Sequence, residues 1–351
     1  MTRANNALAL LGPIGLLAAV GVVGSFVTDA RALEFTNALV FAAIVVALYV
    51  FVGNSGVLSF GQIGFFIVGA YAAGELTVPA DAKQSVLPGV FSIIRDHALG
   101  NAGSLVLAAA VGALYAFLVG IPLMRLSGLA AGIATFAVLE ITQNIVRNWE
   151  KIGPGPLTLS TVPETTDLWQ ATVGAIAVAA VAFAYQRSPL GRKLRAARED
   201  PFAAQAAGID IHRQRLWAFM LSGALSGFAG GLFVHYQGTI NVQDVFLDFT
   251  FLSLAMLVVG GAGSLWGAVV GALLVSGLDS FLGDAENGAV SWLHAPDGTR
   301  MVVVAAFMAV VVVFLPRGLT GGREFSVGRR LGAALKPDAV ERRNPYSGRG
   351  R

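Results

Sequence analysis

The sequence predicts an all-α polytopic integral membrane protein of about ten transmembrane helices with both termini in the cytoplasm, on three observations. Of 351 residues, 55% are hydrophobic and 13% charged, with mean hydropathy +0.69, where soluble chains carry about 25% charged residues. Long stretches contain no Asp, Glu, Lys or Arg, as a lipid-facing surface requires. Sixteen of the 24 Lys and Arg fall within 187–215 and 317–351, both flanking apolar spans. That placement explains the net charge of +3 and the pI near 9.4 as topology, without nucleic acid as a partner. There is no Cys, and His97, His212, His235 and His294 are dispersed, so disulfides and thiolate metal sites are excluded.

Taken in order, Ala7 to Val27 supplies one span, and Phe35 to Gly74 is long enough for two. Asn101 to Met124, Leu126 to Val146 (interrupted by Glu140) and Leu168 to Gln186 complete six. Four more follow the basic segment, at about 216–236, 247–260, 264–282 and 300–316. The first span has a second reading, because Arg3 and Ala30-Arg31-Ala32 imitate a signal peptide. Its apolar core of 21 residues exceeds the usual h-region of about 7 to 15. Residues 1–316 thus form one membrane domain with a cytoplasmic loop at 187–215. The tail 317–351, rich in Gly and Arg, reads as disordered and solvated, with lipid headgroups as a minor alternative partner.

Basic loops stay in the cytoplasm, which orients the chain. With 187–215 and the tail inside, the four intervening spans fit, and counting back through six spans puts the N-terminus inside as well. The outer loops at 76–100, 147–168, 237–246 and 283–299 are then together acidic or nearly neutral.

Lipid supplies no hydrophobic drive between helices, so close approach through small residues has to hold them. Gly223, Gly227 and Gly231, and likewise Gly263, Gly267 and Gly271, recur every fourth residue and predict two packing stripes. The run Gly53 to Gln62 places Asn54, Ser59 and Gln62 among glycines at or near membrane depth, which suits either a water-lined pathway or a cytoplasmic hairpin. Glu140 lies inside its span and is a pathway candidate or a wetted helix end. Asp279 reads as a solvated helix end, and His235 as an interfacial residue beside Tyr236.

The stretch Ser188 to Asp210 is the most informative. Asp200 suits an N-cap, Pro201 the first helical position and Gly208 the C′ residue, so a helix of about two turns is expected between them. So short a helix is marginal in water and needs a surface, either a soluble partner or lipid headgroups.

With Leu221-Ser222-Gly223-Ala224, Leu257 to Gly267, Gly56 to Gln62 and Phe314 to Leu319, this stretch resembles the permeases of branched-chain amino acid ABC importers over about residues 40–320. The resemblance implies a cytoplasmic coupling helix gripped by an ATPase, carried here by Arg198, Glu199, Asp200, Pro201, Phe202, Ala203, Ala204 and Gly208. It also implies a second permease subunit, two ATPase subunits, an extracytoplasmic solute-binding protein and residence in the bacterial plasma (inner) membrane. Urea, amide and aromatic-acid carriers are relatives in that broad family. Such permeases commonly show Glu-Ala-Ala with a following Gly, and this chain has Phe202-Ala203-Ala204 and Gly208. A second departure is Gly153-Pro154-Gly155-Pro156, where the family often has a Thr-Gly-Gly-rich outer loop.

None of Lys83, Lys151, Lys193 and Lys336 follows a Gly, so no P-loop is present and energy comes from a partner or an ion gradient; the resemblance implies ATP bound by the partner ATPase. No cofactor, metal site or catalytic constellation is expected, and an ion-coupled secondary transporter of a small solute is the rival reading.

Overall fold

A computed structural model describes residues 3–288, 296 and 298–324. Among them, fourteen helices follow one another and no strand forms. They are α1 (Arg3–Gly24), α2 (Asp29–Ser55), α3 (Gln62–Thr77), α4 (Ala80–Val86), α5 (Ser92–Arg95), α6 (Asn101–Leu123) and α7 (Gly128–Asn148), then α8 (Leu168–Arg187), α9 (Pro189–Glu199), α10 (Pro201–Ala206), α11 (Ile211–Gln237), α12 (Leu247–Gly260), α13 (Leu265–Glu286) and α14 (Thr299–Phe314). Six segments are long and apolar enough to cross a membrane: Arg31–Ser55 within α2, and α6, α7, α8, α11 and α13. Ala9–Gly24, α12 and α14 are apolar but shorter.

Two helices organise the bundle. Every residue of α2 from Ala38 to Val52 is buried, because α1, α8, α11, α12 and α13 surround it. Its sequence is accordingly apolar on all sides, with no amphipathic face. The second organiser, α11, packs on α2, α3 and α6. Gly223, Gly227 and Gly231 face α6, where a Cβ at Gly227 would stand 3.2 Å from Gly112 Cα and one at Gly231 2.8 Å from Leu105 Cδ2. On another face of α11, a Cβ at Gly69 of α3 would stand 2.7 Å from the Gly227 carbonyl carbon. Backbones this close leave no room for any side chain between them.

The second glycine series divides. Gly267 and Gly271 lie against Gly260 at the end of α12, whereas Gly263 sits in the turn before α13 and a Cβ there would meet nothing nearer than 3.5 Å. The regular spacing overran the helix start, which Ser264 sets by accepting from Gly267 N at 3.0 Å.

At 14 residues, α12 spans about 21 Å, short of the roughly 30 Å of hydrocarbon. Its final carbonyls would be orphans in lipid. The chain after α14 returns to satisfy them: Leu319 N donates to Val259 O at 2.8 Å, Thr320 N to Gly260 O at 3.2 Å and Thr320 Oγ1 to the same carbonyl at 2.8 Å. Glu324 Oε1 then accepts from Leu265 N at 3.1 Å at the start of α13. Residues 317–324 are therefore a structural clamp, correcting the expectation that the tail is disordered from 317. Residues 325–351, where the rest of that expectation falls, lie outside the described residues, and His294 does too.

The polar segments collect at two ends. At one, Arg198 reaches Gly53, Arg215 reaches Leu126 O, His212 reaches Met124 O, and 317–324 grip the α12–α13 turn. At the other, Leu99 N donates to Leu76 O, Phe91 N to Lys151 O, Val162 N to Gly238 O, and Leu159 forms an antiparallel bridge with Ile240. The first end is rich in Arg; the second carries Asp81, Asp96, Glu150, Glu164, Asp167 and Asp244.

Candidate functional site

The segment between α8 and α11 folds as two helices, not the single one expected. Ser188 caps α9 by accepting from Gly191 N at 3.1 Å, and Pro189 starts that helix. Leu194 and Ala197 are buried while Arg192, Lys193 and Glu199 face outward, so the basic lead-in is an amphipathic helix laid against the bundle. Asp200 caps α10, accepting from Ala203 N at 3.0 Å, and Gly208, with φ +78°, ends the turn in the left-handed region. Asp210 caps α11 through Arg213 N at 3.1 Å. Three caps in 23 residues explain why this segment folds locally without membrane burial.

Its residues divide by direction. Phe202 is 84% exposed, and Glu199, Asp200, Pro201, Ala203 and Gly208 are also exposed, whereas Ala204 packs with Ala197 and Ile211. Arg198 is also exposed but reaches back to the bundle: its guanidinium donates to the Gly53 carbonyl at the end of α2, and its stem covers Gly56, where a Cβ would stand 3.0 Å from Arg198 Cγ. Gly56 has φ +70°, so glycine is required there twice over. Arg195 likewise donates to Gln186 O. The two arginines strap α9 to the ends of α2 and α8, and Arg198 does so while remaining exposed. A cleft of about 490 Å³ opens beside them, bounded by Arg195, Arg198, Arg317 and the α12–α13 turn.

Asn54, Ser59 and Gln62 are all buried at the α2–α3 break. Asn54 Nδ2 donates to Val50 O at 2.9 Å, but Asn54 Oδ1, Ser59 Oγ and both amide atoms of Gln62 have no hydrogen-bond partner among the described residues. None of the three lines either of the two cavities described here.

Glu140 is exposed at mid-length of α7, where Asn144 Nδ2 donates to its Oε1 at 3.1 Å; Asn148 lies one turn further on the same exposed face. Asp279 is paired with Arg300 at the acidic end, not simply solvated, with Arg300 Nε donating to Oδ1 at 2.6 Å. His235 is fully buried within the protein: its Nε2 lies 3.0 Å from Thr77 Oγ1 and ties the ends of α3 and α11 together. Among the described residues, no group of His, Cys, Asp and Glu could hold a metal ion.

One residue was invisible to the reading of spans. Glu75 lies between the apolar stretch ending at Gly74 and the outer loop expected at 76–100. α3 continues to Thr77, however, and Glu75 is 3% exposed. The available signal was its spacing of four from Tyr71, which puts both on one helix face. Both border a cavity of about 390 Å³ between α3, α6 and α7.

Comparison with known proteins gives a consistent answer. The family model "Branched-chain amino acid transport system / permease component" matches residues 33–313. The high-affinity branched-chain amino acid transport system permease protein LivM of Salmonella typhimurium is 27% identical over 319 residues, covering 81% of this chain and 68% of the relative. Its Escherichia coli counterpart is 26% identical with the same coverage. The guanosine ABC transporter permease protein NupQ of Bacillus subtilis is 27% identical over 291 residues, 74% of this chain and 86% of the relative. No solved structure matches the chain. The chain belongs to the family of branched-chain amino acid transport system permease components.

Proposed function

We propose that this chain forms half of the translocation pathway of an ABC importer for branched-chain amino acids in the bacterial plasma membrane. An ATPase grips it through α10. The observation that carries this reading is the exposed Phe202 on a capped helix whose neighbour is strapped by Arg198 to the end of α2. A push on Phe202, Ala203 and the exposed rim Glu199, Asp200, Pro201 and Gly208 reaches the most buried helix of the bundle through one hydrogen-bonded strut.

In this reading ten helices cross the bilayer: α1, α2, α3, α6, α7, α8, α11, α12, α13 and α14. The Arg-rich end, with α9, α10 and both termini, is cytoplasmic. Helices α3 and α12 cross despite their length because protein satisfies their ends. The buried Asn54, Ser59 and Gln62, with Asn54 Oδ1, Ser59 Oγ and the Gln62 amide lacking partners, lie beside the strut and gain water partners when the cytoplasmic side opens. Glu140, Asn144 and Asn148 form a polar stripe on the outside of α7, a costly surface to show to lipid. A second permease subunit covers that stripe or shares a wet pathway with it. ATP binds to two ATPase subunits, and an extracytoplasmic solute-binding protein docks on the acidic end.

The test is uptake by proteoliposomes holding the complete importer. Uptake of labelled leucine that needs internal ATP and is lost in Phe202→Glu supports the reading. Uptake by this chain alone on a proton or sodium gradient refutes it and selects the ion-coupled alternative.

A further inference from the structure

The cavity between α3, α6 and α7 has an apolar body, the hydroxyl groups of Tyr71, Tyr115 and Thr142, and one carboxyl group, that of Glu75. Val68, Leu107, Val111, Ile145 and Val146 supply the apolar walls, with Ile94 added from α5 and Ile152 from the loop after α7. Glu75 borders it from the last turn of α3. Its Oε1 is buried and has no hydrogen-bond partner in the described structure. Out of water a carboxyl group stays ionised only with a cation or strong donors beside it and is otherwise held neutral, so an arriving ammonium would supply the partner that lets it ionise.

The nearby cation is Lys83 on α4, also buried, but its ammonium donates to the carbonyls of Ile94 at 2.9 Å and His97 at 2.5 Å. Neither ion pair found among the described residues includes Glu75. Lys83 therefore organises the loop between α4 and α6 and leaves Glu75 without a direct partner. From the other side, Gly153 approaches so closely that a Cβ there would stand 3.0 Å from Glu75 Oε1, so the 150–153 loop closes over the carboxylate. Deeper in the cavity, Tyr115 and Thr142 satisfy each other at 2.7 Å and offer no second charge.

We propose that this cavity binds a primary ammonium group on a branched apolar body, with Glu75 taking the ammonium and the Val111–Ile145 wall taking the methyl branches. Three donors of an ammonium match a carboxylate whose oxygen is otherwise bare, and the apolar walls reject a hydrated metal ion or a polar body. That this is a station for the transported solute rests on the permease reading; the binding itself does not.

The probe is 3-methylbutylamine, with 4-methylpentanoate as a control of similar apolar body and opposite charge. Binding to the full chain in lipid nanodiscs is followed by saturation-transfer NMR and calorimetry. The amine is expected to bind and the acid not to. Glu75→Gln, nearly isosteric, should weaken the amine by at least about tenfold, and Val111→Trp should abolish it by filling the cavity with Glu75 intact. Absence of amine binding, equal binding in Glu75→Gln, or equal binding of the acid overturns the assignment, the last marking a slot for hydrocarbon only. Leucine uptake by the assembled importer separates the two readings. Loss in Glu75→Gln places the site on the pathway, and unchanged uptake removes it from there. Failure of the unmodified importer to take up leucine refutes the permease reading while leaving amine binding standing.

Discussion

Replacing Gly271 by Ala should destabilise the chain far more than the same change at Gly277, further along the same helix. A Cβ on Gly271 would stand 2.7 Å from both Gly260 Cα and Gly260 N, and closer still to Met256 O. Ordinary carbon contacts lie at about 3.5 to 4.0 Å, so α12 and α13 must part by about 1 Å. A gap of that size forfeits up to about half of each contact's 0.1–0.2 kcal/mol. Over some tens of atom pairs along the crossing, the loss is about 1–3 kcal/mol, the usual cost of overpacking. The crossing has no slack, because 317–324 pin the same turn. At Gly277 an added Cβ meets nothing within 4 Å, and Ala should be neutral or slightly stabilising, by under about 1 kcal/mol. Gly263→Ala should be tolerated too. The assay is thermal unfolding of the detergent-purified chain, followed by the loss of its monodisperse peak. Equal midpoints for Gly271→Ala and Gly277→Ala would refute the assigned helix contact.

Other expectations concern the strut, the break and the outer loop. Arg198→Ala leaves the Gly53 carbonyl without its charged donor, a loss of about 1.5–3 kcal/mol; the importer should keep hydrolysing ATP while uptake falls, read from the ratio of the two rates. Phe202→Ala should leave the chain's thermal stability unchanged, since the side chain touches solvent, yet weaken co-purification with the ATPase. Gln62→Leu removes two unpaired buried groups and should raise stability by about 1–3 kcal/mol while slowing uptake. Burial pushes the Lys83 ammonium below its ordinary value, against the pull of Glu75. The folded chain then sheds this proton at lower pH than the unfolded chain, so this group's contribution to stability rises with pH between the two values. In alkaline melts Lys83→Met should flatten that rise.

Much was legible from the sequence because lipid imposes one rule on every span. Charge-free stretches of about 20 residues and arginines held to two segments were enough for a helical membrane chain. Asp200, Pro201 and Gly208 marked a short capped helix for local reasons that need no tertiary partner. Tertiary structure decided what depends on neighbours. Spacing cannot tell that Gly267 and Gly271 meet another backbone while Gly263 only turns, since all three repeat every fourth residue. Arg198 looked free in the sequence and is tied to a carbonyl 145 residues away. Glu75 lies in the sequence between a span and an outer loop and is buried because α3 runs on to Thr77 beneath the 150–153 loop. Burial, pairing and the direction of a side chain are set by distant chain segments folded against it, and no local pattern encodes them.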